Sequence, residues 1–381
     1  MKLSRKDVLA FSASSALALA ASRAARAMAG AMPLGPGAYR SPNAGDLSRL
    51  TTAALRSLPP LQPATTIRRS GRKQHFTLII ASAMVEPLPG HNVQLPTING
   101  ISPGPVLRMT EGDDVEVVVI NRLAKATSIH WHGVPVPFPM DGAAMFSQEP
   151  IPSLQQFTYR WTAPQAGTYM YHSHFNDMEQ ESVAGMIVVE PQTSGREPHY
   201  AVDVPLMVTS VDWEPARQVA AQAILANSML MPSMAVNPKA DPNPGMGDAM
   251  ERMDMTEYWC FNGKTFPATA PIRVKQGDLV RVRFANMSHM THPMHLHGHW
   301  FRWIAQDGVP VAHPYAMNTI PVDPGRTIEI DFIANNPGVW PLHCHIVSHM
   351  VDNRDLMSGL VAVVQYEGFS LPEMMRSLSA H

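Results

Sequence analysis

His343, Cys344 and His345 stand side by side in Pro341-Leu-His-Cys-His-Ile-Val-Ser-His349. On a β-strand, successive side chains point to opposite faces. Cys344 would then face one side and its two flanking imidazoles the other. One short strand could touch two metal sites at once. A soft thiolate suits copper or zinc, and imidazole suits both. A disulfide to Cys260, the only other cysteine, is the alternative, but the histidines around Cys344 favour a metal. Cys260, in Tyr258-Trp-Cys-Phe261, reads as a buried apolar thiol.

Three further His-x-His elements accompany 343/345, at 130/132, 172/174 and 295/297. Each pair faces one side of a strand. Eight imidazoles are too many for one zinc and fit three metals with open positions. They are expected to converge where equivalent faces of two domains meet. A second set follows from parity. His292 is three residues before His295, so it points away from His295 and His297, and His349 follows Cys344 by five. His292, Cys344 and His349 form a His₂Cys set, the ligands of a blue-copper electron-transfer centre, usually completed by a weak axial Met.

An internal repeat organises these residues. Gly112-Asp113, Asn121 and His130-Trp-His132-Gly133 recur, with the same spacing, as Gly277-Asp278, Asn286 and His295-Leu-His297-Gly298. Gly167 to His172-Ser-His174 recurs as Gly338 to His343-Cys-His345. Two copies of one β-domain are expected, over 65–195 and 200–368. Ser173, Thr127 and Met178 fall opposite Cys344, His292 and His349, so only the second copy has the thiolate set.

The 381 residues allow two or three domains. Prolines number 35, about 9% of the chain against a usual ~5%. With many short Val/Ile-rich runs, this predicts an all-β, loop-rich architecture. The net charge of −2 gives no reason to expect a nucleic-acid partner. Residues 1–27 read as an export signal: basic Lys2, Arg5 and Lys6, an uncharged run from Val8 to Ala21, and Ala25-Arg-Ala27 as a cleavage site. Ser4-Arg5-Lys6 resembles a degenerate twin-arginine signal. The uncharged run is short for a membrane span. Residues 28–64 form an extended arm with one short amphipathic helix. Seven methionines lie within 229–255 (Met229, Met231, Met234, Met246, Met250, Met253 and Met255). They are read either as packing or a lid, or as a Cu(I) site, since thioethers favour Cu(I).

The chain resembles multicopper oxidases of the two-domain, small-laccase kind. The motifs are His130-Trp-His-Gly133, Tyr171-His-Ser-His174, His292-Pro-Met-His-Leu-His-Gly-His299 and His343-Cys-His-Ile-Val-Ser-His349. Flanking matches are Asn99-Gly-Ile-Ser-Pro-Gly-Pro105, Met140-Asp-Gly142 and Asn336-Pro-Gly-Val-Trp340. The resemblance implies two cupredoxin-like Greek-key barrels or sandwiches and four coppers per chain. Type 1 would use His292, Cys344 and His349, and type 2 His130 and His295. The type 3 pair would use His132, His172, His174, His297, His343 and His345. Electrons from a phenol, aromatic amine or metal ion such as Cu(I) would pass through Cys344, His343 and His345, and dioxygen would be reduced to water. The resemblance also implies a homotrimer sharing clusters between subunits, in the periplasm or outside the cell.

Two positions depart from the family pattern. Arg354 stands where most relatives carry the axial Met, leaving Met357 first, Met350 second and no axial ligand third. Val347 and Met350 stand near where some relatives carry a Glu, while Asp141 matches an acid associated with proton delivery; Asp141 also reads as a turn residue before Gly142. A copper nitrite reductase would carry its cysteine in the first copy, where Ser173 stands. A non-enzymatic copper-binding or tolerance protein would explain the methionines but not the ordered histidine pairs.

Overall fold

The computed structural model describes residues 72–175, 177–193, 197–212, 257–351 and 357–371. The export signal, the arm, the 229–255 segment and Arg354 lie outside the described residues. Eight strands make the first half: β1 (Lys73–Leu88), β2 (His91–Ile98), β3 (Leu107–Thr110), β4 (Asp114–Asn121), β5 (Ile129–His130), β6 (Gln156–Thr162), β7 (Gly167–Ser173) and β8 (Ala184–Glu190). They form two four-stranded sheets, β2-β1-β4-β6 and β3-β8-β7-β5. The alternation in β4 buries Val115, Val117 and Val119. These side chains meet Trp131, Tyr159 and Ile187 in one core between the sheets.

The second half repeats this plan. Its strands are β9 (Val202–Asp212), β10 (Glu257–Phe261), β11 (Ile272–Val274), β12 (Leu279–Asn286), β13 (His292–Leu296), β14 (Phe301–Gln306), β15 (Val309–Pro310), β16 (Ala316–Met317), β17 (Thr319–Val322), β18 (Thr327–Ile333), β19 (Val339–Cys344) and β20 (Val361–Tyr366). One sheet begins β10-β9-β12-β18 and continues through β14 and β15; the other runs β11-β20-β19-β13-β17. The parallel pairs correspond as well: β1 with β4 and β9 with β12, then β3 with β8 and β11 with β20. The fold is all-β, with two cupredoxin-like sandwiches.

Strand β12 is buried on both faces after its first residue. Val280, Val282 and Phe284 enter the second core. Arg281 and Arg283 point the other way and stay buried because carboxylates meet them. Arg283 donates to Asp203 at 2.7 and 3.0 Å and to Glu329 at 3.0 Å. Thr168 on β7 accepts from Arg283 at 3.0 Å and donates to Glu329 at 2.7 Å. A buried charge pair offsets its desolvation only with such complete hydrogen bonding. The network ties the first sandwich to the second within one chain.

Candidate metal centres

Strand parity sorts the ligand candidates as the sequence predicts. In β13, His292, Met294 and Leu296 are buried and His295 is half-exposed. Cys344, opposite Met294 on β19, is fully buried. A short 3₁₀ turn over Val347–His349 swings His349 back beneath the sheet. The Sγ of Cys344 lies 3.6 Å from His349 Nδ1, which lies 3.1 Å from His292 Nδ1. Three ligand atoms of the right chemistry thus converge in a site closed to solvent. Burial pushes the Cys344 thiol up to about 11, so its thiolate form calls for a cation beside it. The donor set fits copper.

The His292 ring is oriented by a chain of hydrogen bonds. Asn286 Nδ2 donates to the carbonyls of Met290 and Val322 at 2.7 and 2.8 Å, so Oδ1 must be the acceptor. Ser288 donates its hydroxyl to that oxygen at 2.7 Å. With its one proton so used, Ser288 Oγ accepts from His292 Nε2–H at 2.7 Å. The lone pair of His292 is then on Nδ1, facing Cys344. Such outer partners fix a ligating imidazole's tautomer. Trp259 meets His292 edge to face with ring centres 4.8 Å apart and lies tilted against His349 at 4.3 Å.

The eight paired histidines form two separate sets of four. His130 sits with His132, His172 and His174 at ring separations of 5.4–5.8 Å. His295 sits likewise with His297, His343 and His345 at 4.8–5.7 Å. Among the described residues, every close histidine ring contact in either set stays within that set. The eight imidazoles therefore do not converge within one chain, contrary to the simplest expectation. The two sets are built alike. His130 and His295 donate Nδ1–H to the carbonyls of Asp141 and Asn318 at 2.8 and 2.7 Å. His172 and His343 donate to the carbonyls of Ser173 and Cys344 at 2.8 and 2.7 Å. All four rings therefore keep an Nε2 lone pair for a metal. Asp141 acts here through its carbonyl, and its carboxylate oxygen is 3.5 Å from His130 Nδ1. Gly142 follows at φ +81°, where a Cβ would collide with the Ile129 carbonyl.

Met357 and Met350 pack against Phe266, Val361 and Val363, a cluster separate from that of Cys344. The chain nonetheless folds back there: Met357 bridges Val351, and Leu360 N–H donates to the His349 carbonyl at 2.8 Å. Cys260 is buried beside Val93, Leu95 and Val211, as its sequence context predicts. Trp259, Ser288, Glu181 and His289 were not legible as site residues, because no motif or repeat position marks them.

Burial holds His172 and His292 down at about 3, from 6.5, with neighbouring imidazoles adding to the shift. A histidine depressed on folding is protonated more readily in the unfolded chain, so stability falls as pH drops below about 6.5. For the copper-free protein, each is expected to cost on the order of 2 kcal/mol between neutral pH and pH ~5. Urea midpoints across that range check this. A flat profile would mean that these rings are not buried in neutral form.

Two sequence profiles described as multicopper oxidase match residues 80–194 and 238–363. The chain is 42% identical over 139 residues to copper resistance protein A of Escherichia coli, covering 36% of this chain and 22% of that protein. It is 29% identical over 288 residues to a copper resistance protein A homolog of Pseudomonas syringae pv. tomato, covering 67% and 46%. The chain thus spans less than half the length of either relative. The crystal structure of blue copper oxidase from Nitrosomonas europaea superposes with a TM-score of 0.64 at 28% identity, covering 77% of this chain and 86% of that one. Profiles, relatives and architecture agree with the buried thiolate site: the chain belongs to the multicopper oxidase family.

Proposed function

We propose that this chain is a laccase-like oxidase that couples one-electron oxidation of a reducing substrate to four-electron reduction of dioxygen to water. The observation that carries this reading is the end of strand β19, with Cys344 in a closed His₂Cys site and the flanking His343 and His345 in the second histidine set. His292, Cys344 and His349 would hold a type 1 copper, and Met357, which packs beside Phe266, would supply its thioether. His130 and His295 would hold type 2, and His132, His172, His174, His297, His343 and His345 the type 3 pair. Bound copper supplies the one-electron couples and the oxygen-binding positions. The polypeptide fixes ligand tautomers, keeps water from Cys344, and joins the two sites through the Cys344 backbone.

A homotrimer is part of the proposal. Each chain carries two half-clusters that stay apart, so a second copy must complete each one. Large apolar side chains flank both: Phe138 and Phe146 are 69 and 85% exposed near Asp141, and Trp300 and Val347 are 68 and 61% exposed beside the second set. Patches of this kind mark interaction surfaces, and head-to-tail contacts close into rings. Sandwich boundaries at 65–195 and 200–368 and an exported location, periplasmic or extracellular, complete the reading. Among the described residues no helix is long and apolar enough to cross a membrane.

Cu(I) is favoured among the donors by the copper resistance relatives and by the methionines of 229–255. Copper analysis and oxygen uptake test the reading together. The oxidase predicts about four coppers per chain and dioxygen consumption. Copper held without turnover would instead support a binding or tolerance protein. Comparing Cu(I) with a phenol, before and after deletion of 229–255, tests the donor; unchanged Cu(I) oxidation on deletion would exclude that segment's role.

A further inference from the structure

A cavity of about 450 Å³ opens beside the first histidine set, lined by His130, His132, His172, His174, Glu181 and His289. Glu181 lies in the last turn of a short helix, Asp177–Ser182, that begins just after His174. Its side chain is nearly buried, at 12% exposure. Ser210 donates both its N–H and its hydroxyl to Oε2, at 2.9 and 2.6 Å. With two donors on Oε2, a proton on this carboxyl belongs on Oε1. Oε1 faces Nδ1 of His289 at 3.5 Å. His289 is itself 54% exposed, so one side of the ring reaches solvent.

From these contacts we propose that Glu181 and His289 form a proton-transfer pair serving the chemistry at the first histidine set. The proposal rests on the oxidase reading. Converting one dioxygen to two waters takes four electrons, from the reducing substrate, and four protons, from bulk water. Each proton enters at His289, crosses from Nδ1 to Glu181 Oε1, and leaves Oε1 through water in the cavity to the oxygen being reduced. The Nδ1–H bond breaks as the Oε1–H bond forms, and His289 is then reprotonated from solvent. The cavity is lined by imidazoles, Glu181 and Ser288 and is large enough to hold the connecting water. Burial raises the Glu181 carboxyl above its ordinary range while Ser210 and His289 oppose this.

The strands packed on the helix carry His91, Tyr169, Tyr171, His172 and Asp203, and β10 adds Tyr258 and Cys260. Among the described residues none of them hydrogen-bonds to the Glu181 carboxylate, whose partners are Ser210 and His289.

The test uses the copper-loaded enzyme and two variants, Glu181→Gln and His289→Gln. Gln keeps the shape and one oxygen for Ser210. With copper content and donor-driven bleaching of the blue band unchanged, Glu181→Gln should slow oxygen uptake by roughly 10²-fold. Small carboxylic acids in the buffer should restore part of the rate. His289→Gln should cause a smaller loss and shift the acid–alkaline profile, and Glu181→Asp should recover activity. In the copper-free protein, infrared spectra should show a protonated carboxyl band that disappears in Glu181→Gln. Wild-type rates and pH profile in both fully loaded variants would overturn the pair. Copper-loaded wild-type protein that consumes no dioxygen would overturn the oxidase reading itself.

Discussion

Cys344→Ser should abolish the intense visible absorption of the copper-loaded protein and reduce oxygen uptake to background. A serine hydroxyl stays protonated at neutral pH and is a hard oxygen donor, whereas the site is built around a soft thiolate. The fold should survive. The Cys344 backbone N–H still donates to the Leu360 carbonyl at 3.0 Å, and the pairing of β19 with β13 and β20 does not involve the sulfur. Replacing the sulfur by a hydroxyl in this buried site should cost about 1–3 kcal/mol. Thermal unfolding, copper analysis and oxygen uptake separate these effects. Normal uptake in the colourless variant would mean that electrons enter elsewhere.

Mixing two inactive chains should restore activity. His132→Ala damages only the first histidine set and His345→Ala only the second. Each homogeneous protein should be inactive, because every cluster would contain one damaged half. In a ring re-associated from equal amounts, each interface joins one chain's first set to the next chain's second set. Both halves are intact in about one quarter of random pairings, so about a quarter of wild-type uptake is expected. Light scattering should find the active species as a trimer. No recovery after verified subunit exchange, or a fully active monomer, would refute shared clusters.

The sequence carried the metal ligands unusually far. His-x-His pairs and a His₂Cys set depend on strand parity, which is local: β13 alternates in burial, and on β19 the neighbours His343 and Cys344 join different sets. The repeat added the pairing of strands, because equal spacing in two copies implies equal sheet order, and the sheets agree. Long-range placement was less legible. The separation of the two histidine sets depends on how one sandwich sits on the other, through Arg283, Glu329 and Thr168, and none of these carries a motif. Ser288 gains its meaning only from the Asn286 carboxamide, and Glu181 only from a cavity formed by distant segments. Met357 was read from alignment to a strand, but its packing beside Phe266 is tertiary.

The repeat also records a division of labour. Asn121 keeps the clamp that Asn286 makes, donating to the carbonyls of Lys125 and Ile151 at 2.8 Å each. Around that retained clamp, Thr127 and Ser173 stand where His292 and Cys344 stand in the other copy, their buried hydroxyl oxygens 3.5 Å apart. The first sandwich thus keeps the scaffold of an electron port and plugs it with two small alcohols. In the proposed trimer a plugged port would accept no electrons, so the ring would have three entrances rather than six, each feeding its cluster from one side. An engineer wishing to double the entrances would begin at Thr127 and Ser173, where the supporting frame is already in place.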